Sequence, residues 1–207
     1  REYFGNGKRW GVKLHYVTDY DPQGIASSLM KAKNKIVGPF FLFLGDIFVG
    51  DADIKSSVAM MASLKADGIV IGREETDPQA VARNFSVIAS GDGRVLRVVE
   101  KPKNPSSLFK GYGLYFFSPA IFEAIASTPK SSLRNELEIT DSIQTLIDSG
   151  GKVYAQKWKN WDFNLSVPED LLMCNLKLLK ERKLDRLIGE GVRLDENTRI
   201  IKSVIGD

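Results

Sequence analysis

The stretch that most constrains this chain is Phe40-Phe41-Leu42-Phe43-Leu44, five apolar residues in a row that stop at Gly45-Asp46. A run this short and this uniformly apolar fits a strand covered on both faces, as in a parallel sheet flanked by helices. Gly68-Ile69-Val70-Ile71-Gly72 reads as a second central strand. Between and after these runs the apolar residues return at helical spacing: 25–36, 53–67, 119–126, 140–149 and 168–183. Gly150-Gly151 closes one of these helices, and Pro168 with Glu169 and Asp170 opens the last. Further strands are expected at 114–117 and 153–158, and the alternation Val12-Lys13-Leu14-His15-Tyr16-Val17 reads as one more. Phe85–Ala89 and Val95–Glu100 flank Ser90-Gly91-Asp92-Gly93-Arg94, the pattern of a β-hairpin.

Strands alternating with helices give an α/β fold. We expect a Rossmann-like, mixed but mainly parallel sheet with helices on both faces. In such sheets ligands sit at the carboxyl ends of the strands, which directs attention to the residues after Leu44, Val99 and Trp158. Composition narrows the function. With 29 Lys and Arg against 26 Asp and Glu, scattered along the chain, the net charge of +3 is too mild to argue for nucleic acid. No apolar run reaches membrane-spanning length. Cys174 is the single cysteine and cannot form an internal disulfide; a reducing, cytoplasmic setting is expected.

Three stretches carry chemistry. In Leu42-Phe43-Leu44-Gly45-Asp46 a carboxylate leaves a strand at the ligand crevice, where it can hold a magnesium ion that bridges phosphates; it can equally cap a turn. In Val99-Glu100-Lys101-Pro102 an acid offers an acceptor for hydroxyls and a lysine a point charge for phosphate. In Pro22-Gln23-Gly24-Ile25-Ala26 a glycine at a helix start allows a planar ring to approach the backbone. Taken singly, the last two read more simply as a solvated charge pair and an ordinary cap.

Their order is more specific. Pro22 to Ala26, Gly45-Asp46, Glu100-Lys101-Pro102, Gly113-Leu114-Tyr115, Glu138-Ile139-Thr140-Asp141 and Pro168-Glu169-Asp170-Leu171 follow one another over nearly the whole chain. In this the sequence resembles the sugar-nucleotidyltransferases, the family of the glucose-1-phosphate thymidylyltransferases and uridylyltransferases. The resemblance implies transfer of a nucleotidyl group from a nucleoside triphosphate to a sugar 1-phosphate, with release of pyrophosphate. It implies Mg2+ at Asp46, sugar hydroxyls at Glu100, the sugar phosphate at Lys101, the nucleobase over Gly24, and Tyr115 lining the sugar pocket. Glu138 and Asp141 would stabilise the sugar side. It implies a homo-oligomer, with no nucleic acid and no membrane among its partners.

Some positions depart from the family pattern. Asp19 stands where a base-reading Gln is usual, and an acid cannot donate to a pyrimidine carbonyl. Ser86 stands where the sugar-contacting Gly of the hairpin is usual. The second metal ligand falls on Asn164 when counted back from Pro168, or on Asp162 when matched on Trp161. The family's Gly-rich phosphate loop has no counterpart in residues 1–207. We therefore expect an N-terminally incomplete nucleotidyltransferase domain over 1–188 that is inactive by itself. Residues 189–207 are expected to form a linker and the start of a left-handed β-helix of hexapeptide repeats. Two rivals remain: a non-catalytic, sugar-nucleotide-binding or regulatory relative, and a glycosyltransferase using Asp51-Ala52-Asp53, where helix capping accounts better for the acids.

Overall fold

The computed structural model describes every residue except Asp51, Leu133, Asn160 and Asp207. The regular elements, in chain order, are α1 (Ile25–Ala32), β1 (Phe40–Phe43), β2 (Ile47–Val49), α2 (Ile54–Leu64), β3 (Gly68–Glu74), α3 (Pro78–Ala82), β4 (Phe85–Ala89), β5 (Val95–Glu100), β6 (Phe109–Phe117), α4 (Ile121–Ser127), α5 (Ile139–Asp148), β7 (Val153–Lys157), β8 (Asp162–Asn164), α6 (Pro168–Glu181), β9 (Arg186–Ile188) and β10 (Ser203–Ile205). They fall into two compact units. One comprises residues 1–43 and 53–158; the other comprises 44–52 and 159–207.

The first unit holds a six-stranded sheet in which β5, β4, β6, β3 and β7 are neighbours in that order and β1 also pairs with β6. The sheet is mixed, as expected, but not mainly parallel. β6 is antiparallel to both β1 and β3, and β4 is antiparallel to β5; β3 with β7 is the parallel ladder. The cause is β6, a nine-residue strand laid between two central strands, with Leu42 and Val70 both opposite Tyr115. Its inner residues Leu114, Tyr115, Phe116 and Phe117 are all buried. Tyr115 stacks between Phe85 and Phe117, with ring centroids 5.9 and 5.4 Å apart. Helices α4 and α5 contribute Ile121, Phe122, Ile125, Ile139, Ile143 and Leu146 to the same core, their apolar residues recurring at helical spacing.

Two strand readings change. β1 is only half-buried, and Phe43 is 49% exposed, so its apolar run is not covered on both faces. Residues 12–17 form no ladder, and Val12, Tyr16 and Val17 stand exposed; alternation alone does not make a strand without a partner edge. By contrast, Asp53 caps α2, its carboxylate accepting from the Ser56 N–H at 3.1 Å, while Asp51 lies outside the described residues.

In the second unit, β2 and β8 form an antiparallel pair and β9 and β10 a parallel one. Helix α6 buries Cys174 and Leu179 and leaves Leu171, Leu172 and Met173 more than half exposed. Among the described residues no helix is long and apolar enough to cross a membrane.

Candidate active site

In the first unit several of the candidate residues gather where β5 ends and α5 begins. Glu100 is the last residue of β5, in register with Phe85 of β4. One of its carboxylate oxygens accepts from the Thr140 hydroxyl at 3.2 Å, and the other lies 3.9 Å from the Arg134 guanidinium. Arg134 also faces Glu138 at 3.6 Å. Glu100, Lys101, Ser131, Arg134, Glu138 and Asp141 line a cleft of about 370 Å³. Burial pushes the Glu100 carboxyl above its ordinary range, and the nearby Glu138 pushes it further; the Thr140 hydroxyl, Lys101 and Arg134 oppose this. Glu138 is raised mainly by burial, against the pull of Arg134, and Asp141 by burial. Glu100 and Glu138 both face the Arg134 guanidinium, and Asp141 lines the same cleft, so several acceptors and a cation meet there.

Lys101 follows in the left-handed backbone region at φ 41°, its N–H bonded to the Asn84 carbonyl at 2.8 Å and its side chain exposed. Tyr115 is 1% exposed and lines neither of the two clefts that Arg134 borders; burial and the charges of Glu100 and Glu138 push its hydroxyl up. Ser86 is buried and donates to the Ser107 carbonyl at 2.8 Å, so its hydroxyl is already used within the chain.

A second cleft of about 580 Å³ is lined by Pro22, Gly24, Ile25, Ser28, Leu29, Leu42, Arg134, Glu136 and Glu138. Gly24 has φ 106° and ψ 165°, a region that is essentially glycine's alone. The segment at Leu137 requires it: the Leu137 N–H donates to Gln23 O at 2.7 Å and the Leu137 carbonyl accepts from Ala26 N at 3.1 Å. Asp19 accepts from Ser28 at 2.7 Å and pairs with Lys31. The bond to Lys31 is the main reason its carboxyl sits below the usual range. It ties the 19–24 loop to α1.

In the second unit Asp46 is exposed, and its carbonyl accepts from Leu165 N at 2.8 Å. Asn164 is the register partner of Ile47, whereas Asp162 pairs with Val49, two positions farther along. The Asn164 side-chain oxygen accepts from Ser166 at 3.0 Å. No group of three or more His, Cys, Asp or Glu that could hold a metal occurs among the described residues.

Arg134, which lines both clefts, was not singled out from the sequence, because 131–135 reads as polar loop. The available signal was its spacing of four from Glu138, just ahead of the Glu-x-Thr-Asp stretch.

Residues 1–178 match the family described as Nucleotidyl transferase. The chain belongs to that family. It is 34% identical over 191 residues to a glucose-1-phosphate thymidylyltransferase of Streptomyces griseus, covering 90% of this chain and 52% of that one. It is 32% identical over 172 residues to the UTP–glucose-1-phosphate uridylyltransferase AglF of Haloferax volcanii, covering 83% and 69%. The chain spans about half the length of the thymidylyltransferases it matches. Its fold is shared with a UDP-glucose pyrophosphorylase solved with UDP-glucose, at TM-score 0.71 and 22% identity, over 81% of this chain and 66% of that structure.

Proposed function

We propose that this nucleotidyl transferase is a sugar 1-phosphate nucleotidylyltransferase that takes dTTP or UTP and a hexose 1-phosphate. The observation that carries this reading is the cleft in which Glu100, Lys101 and Arg134 converge. It offers carboxylate acceptors for sugar hydroxyls beside two cations for a phosphate. The relatives named above supply the choice of substrates.

In this reaction the sugar-phosphate oxygen attacks the α-phosphorus and pyrophosphate departs. The protein's work is positioning and charge neutralisation. Glu100 accepts from sugar hydroxyls, and Lys101 and Arg134 face the phosphate that reacts. Tyr115 supports the sugar side from within the core, with Glu138 and Asp141 along its wall. Gly24 and the loop held by Asp19 border the base. Ser86, spent on Ser107, shapes the hairpin rather than contacting sugar. Asp46 with Asn164 would hold Mg2+, which supplies charge for the triphosphate oxygens. Asn164 is preferred to Asp162 because the ladder sets it opposite Ile47, next to Asp46. We place the protein in the cytoplasm as a homo-oligomer. We read 189–207 as the beginning of a left-handed β-helix, supported by the parallel pairing of β9 with β10.

The test is pyrophosphate release with dTTP, UTP or CTP and glucose 1-phosphate, run on this chain and on the whole reading frame that contains it. Magnesium-dependent release that falls at least a hundredfold in Asp46→Ala supports the assignment. No release from either polypeptide with any pair overturns it.

A further inference from the structure

Building on that reading, we propose that Thr140 is a positioning residue for the sugar acceptor: its hydroxyl fixes one carboxylate oxygen of Glu100, so that the other is presented on the Arg134 side of the cleft. Thr140 is 2% exposed, in the first turn of α5, and its hydroxyl donates to Glu100 at 3.2 Å. At this exposure it acts on a ligand through Glu100 and not by direct contact.

The helix has other ties to the sheet besides this bond. A separate bond ties α5 to β5, from the Val98 N–H to the Gln144 side-chain oxygen at 3.0 Å. Ile139, Ile143 and Leu146 are all buried in the core beneath. What the hydroxyl adds is orientation. The other oxygen of the Glu100 carboxylate lies 3.9 Å from Arg134, and the carboxylate is also attracted by Lys101 and repelled by Glu138. A guanidinium at that distance attracts without the directional grip of a hydrogen bond. Among the described residues, the Thr140 hydroxyl therefore gives this carboxylate a directional contact where the charges around it push and pull without direction.

The hydroxyl also favours the ionised form of Glu100, the form that accepts from a sugar. Its loss should therefore raise the carboxyl still further. The charged and titratable groups around it are Lys101 just after β5, Tyr115 on β6, Arg134 and Glu136 in the loop before α5, and Glu138 and Asp141 at the head of α5.

The experiment compares Thr140→Val, Thr140→Ser and Gln144→Leu with the parent, each in the whole reading frame that contains the chain, using dTTP and glucose 1-phosphate across pH 5 to 8. Removing a hydrogen bond to a charged group corresponds to roughly tenfold or more. Thr140→Val should therefore raise KM for glucose 1-phosphate about tenfold, with KM for dTTP and kcat little changed. It should also move the acidic limb of kcat/KM to higher pH. Thr140→Ser should restore both, and Gln144→Leu should lower the melting temperature without moving the limb. Carbon-detected titration of the Glu100 carboxyl reads the same bond without turnover; Thr140→Val should raise its midpoint and Thr140→Ser should not. Should Thr140→Val fail to fold, Thr140→Ala takes its place. An unshifted limb and an unshifted Glu100 midpoint overturn the assignment of Thr140. Absence of turnover in the whole reading frame that contains the chain, with dTTP, UTP or CTP, overturns the proposed function, and with it this role, whatever the titration gives.

Discussion

Replacing Gly24 by alanine tests whether this glycine answers to the chain's own backbone or to a ligand. The structure gives the first answer. At φ 106° and ψ 165° an L-residue pays conformational strain of about 1–3 kcal/mol. A Cβ there would stand 2.5 Å from the Leu137 carbonyl oxygen and 2.9 Å from its nitrogen, both backbone atoms that cannot swing aside. Relief requires moving α1 away from the 137 segment, which loosens the bonds from Leu137 N to Gln23 O and from Ala26 N to Leu137 O. These are worth about 1 kcal/mol each. The expected loss is therefore about 3–5 kcal/mol, read from the urea midpoint at constant m. The cleft that Gly24 borders should change with it, because Leu137 lies between Glu136 and Glu138 of its wall. A Gly24→Ala protein within about 0.5 kcal/mol of the parent would refute the argument. Unchanged stability with lost nucleotide affinity would return the glycine to the nucleobase.

Two more perturbations follow from the same geometry. Glu138→Gln should gain stability relative to the parent as pH rises from 4.5 upward. In that window the native parent holds a proton on the raised Glu138 that the unfolded chain has already lost, so ionising it costs folding free energy; a pH-independent difference in denaturation midpoints would contradict this. A Cβ on Gly111 would overlap the Phe85 ring, which stacks on Tyr115, so Gly111→Ala should cost about 1–3 kcal/mol through overpacking and alter the tyrosine bands in near-ultraviolet circular dichroism.

The hairpin of β4 and β5 was legible because two apolar runs flank a polar, glycine-containing turn, and α5 because Ile139, Ile143 and Leu146 recur at helical spacing before Gly150. The direction of the sheet was not. Nothing local in Leu114-Tyr115-Phe116-Phe117 says which way the strand runs; that is decided by the route the chain takes after the hairpin. Strands β2, β8, β9 and β10 are three residues each, too short for any period to show. Of the candidate site, Glu100 and Lys101 stood out through the order of motifs along the chain, since taken singly they read as a solvated charge pair at a strand end. Arg134 did not, since its importance comes from Glu100, distant in sequence, and not from its own neighbours. Asp19 illustrates the opposite case: a conspicuous substitution whose carboxylate is taken up by Ser28 and Lys31.

The placement of β6 has a consequence for how the chain acquires its structure. β1 and β3 do not pair with each other; both find their partner in residues 109–117. During synthesis, Phe41, Leu42, Ile69 and Val70 must therefore wait, unpaired and apolar, until Phe117 has been made. Closure then comes late and over long loops, which slows folding and leaves sticky edges open in the interval. In pulsed hydrogen exchange the amides of Phe41 and Ile69 should gain protection together with those of Leu114 to Phe116; protection of either strand well before β6 would show that another partner holds it first.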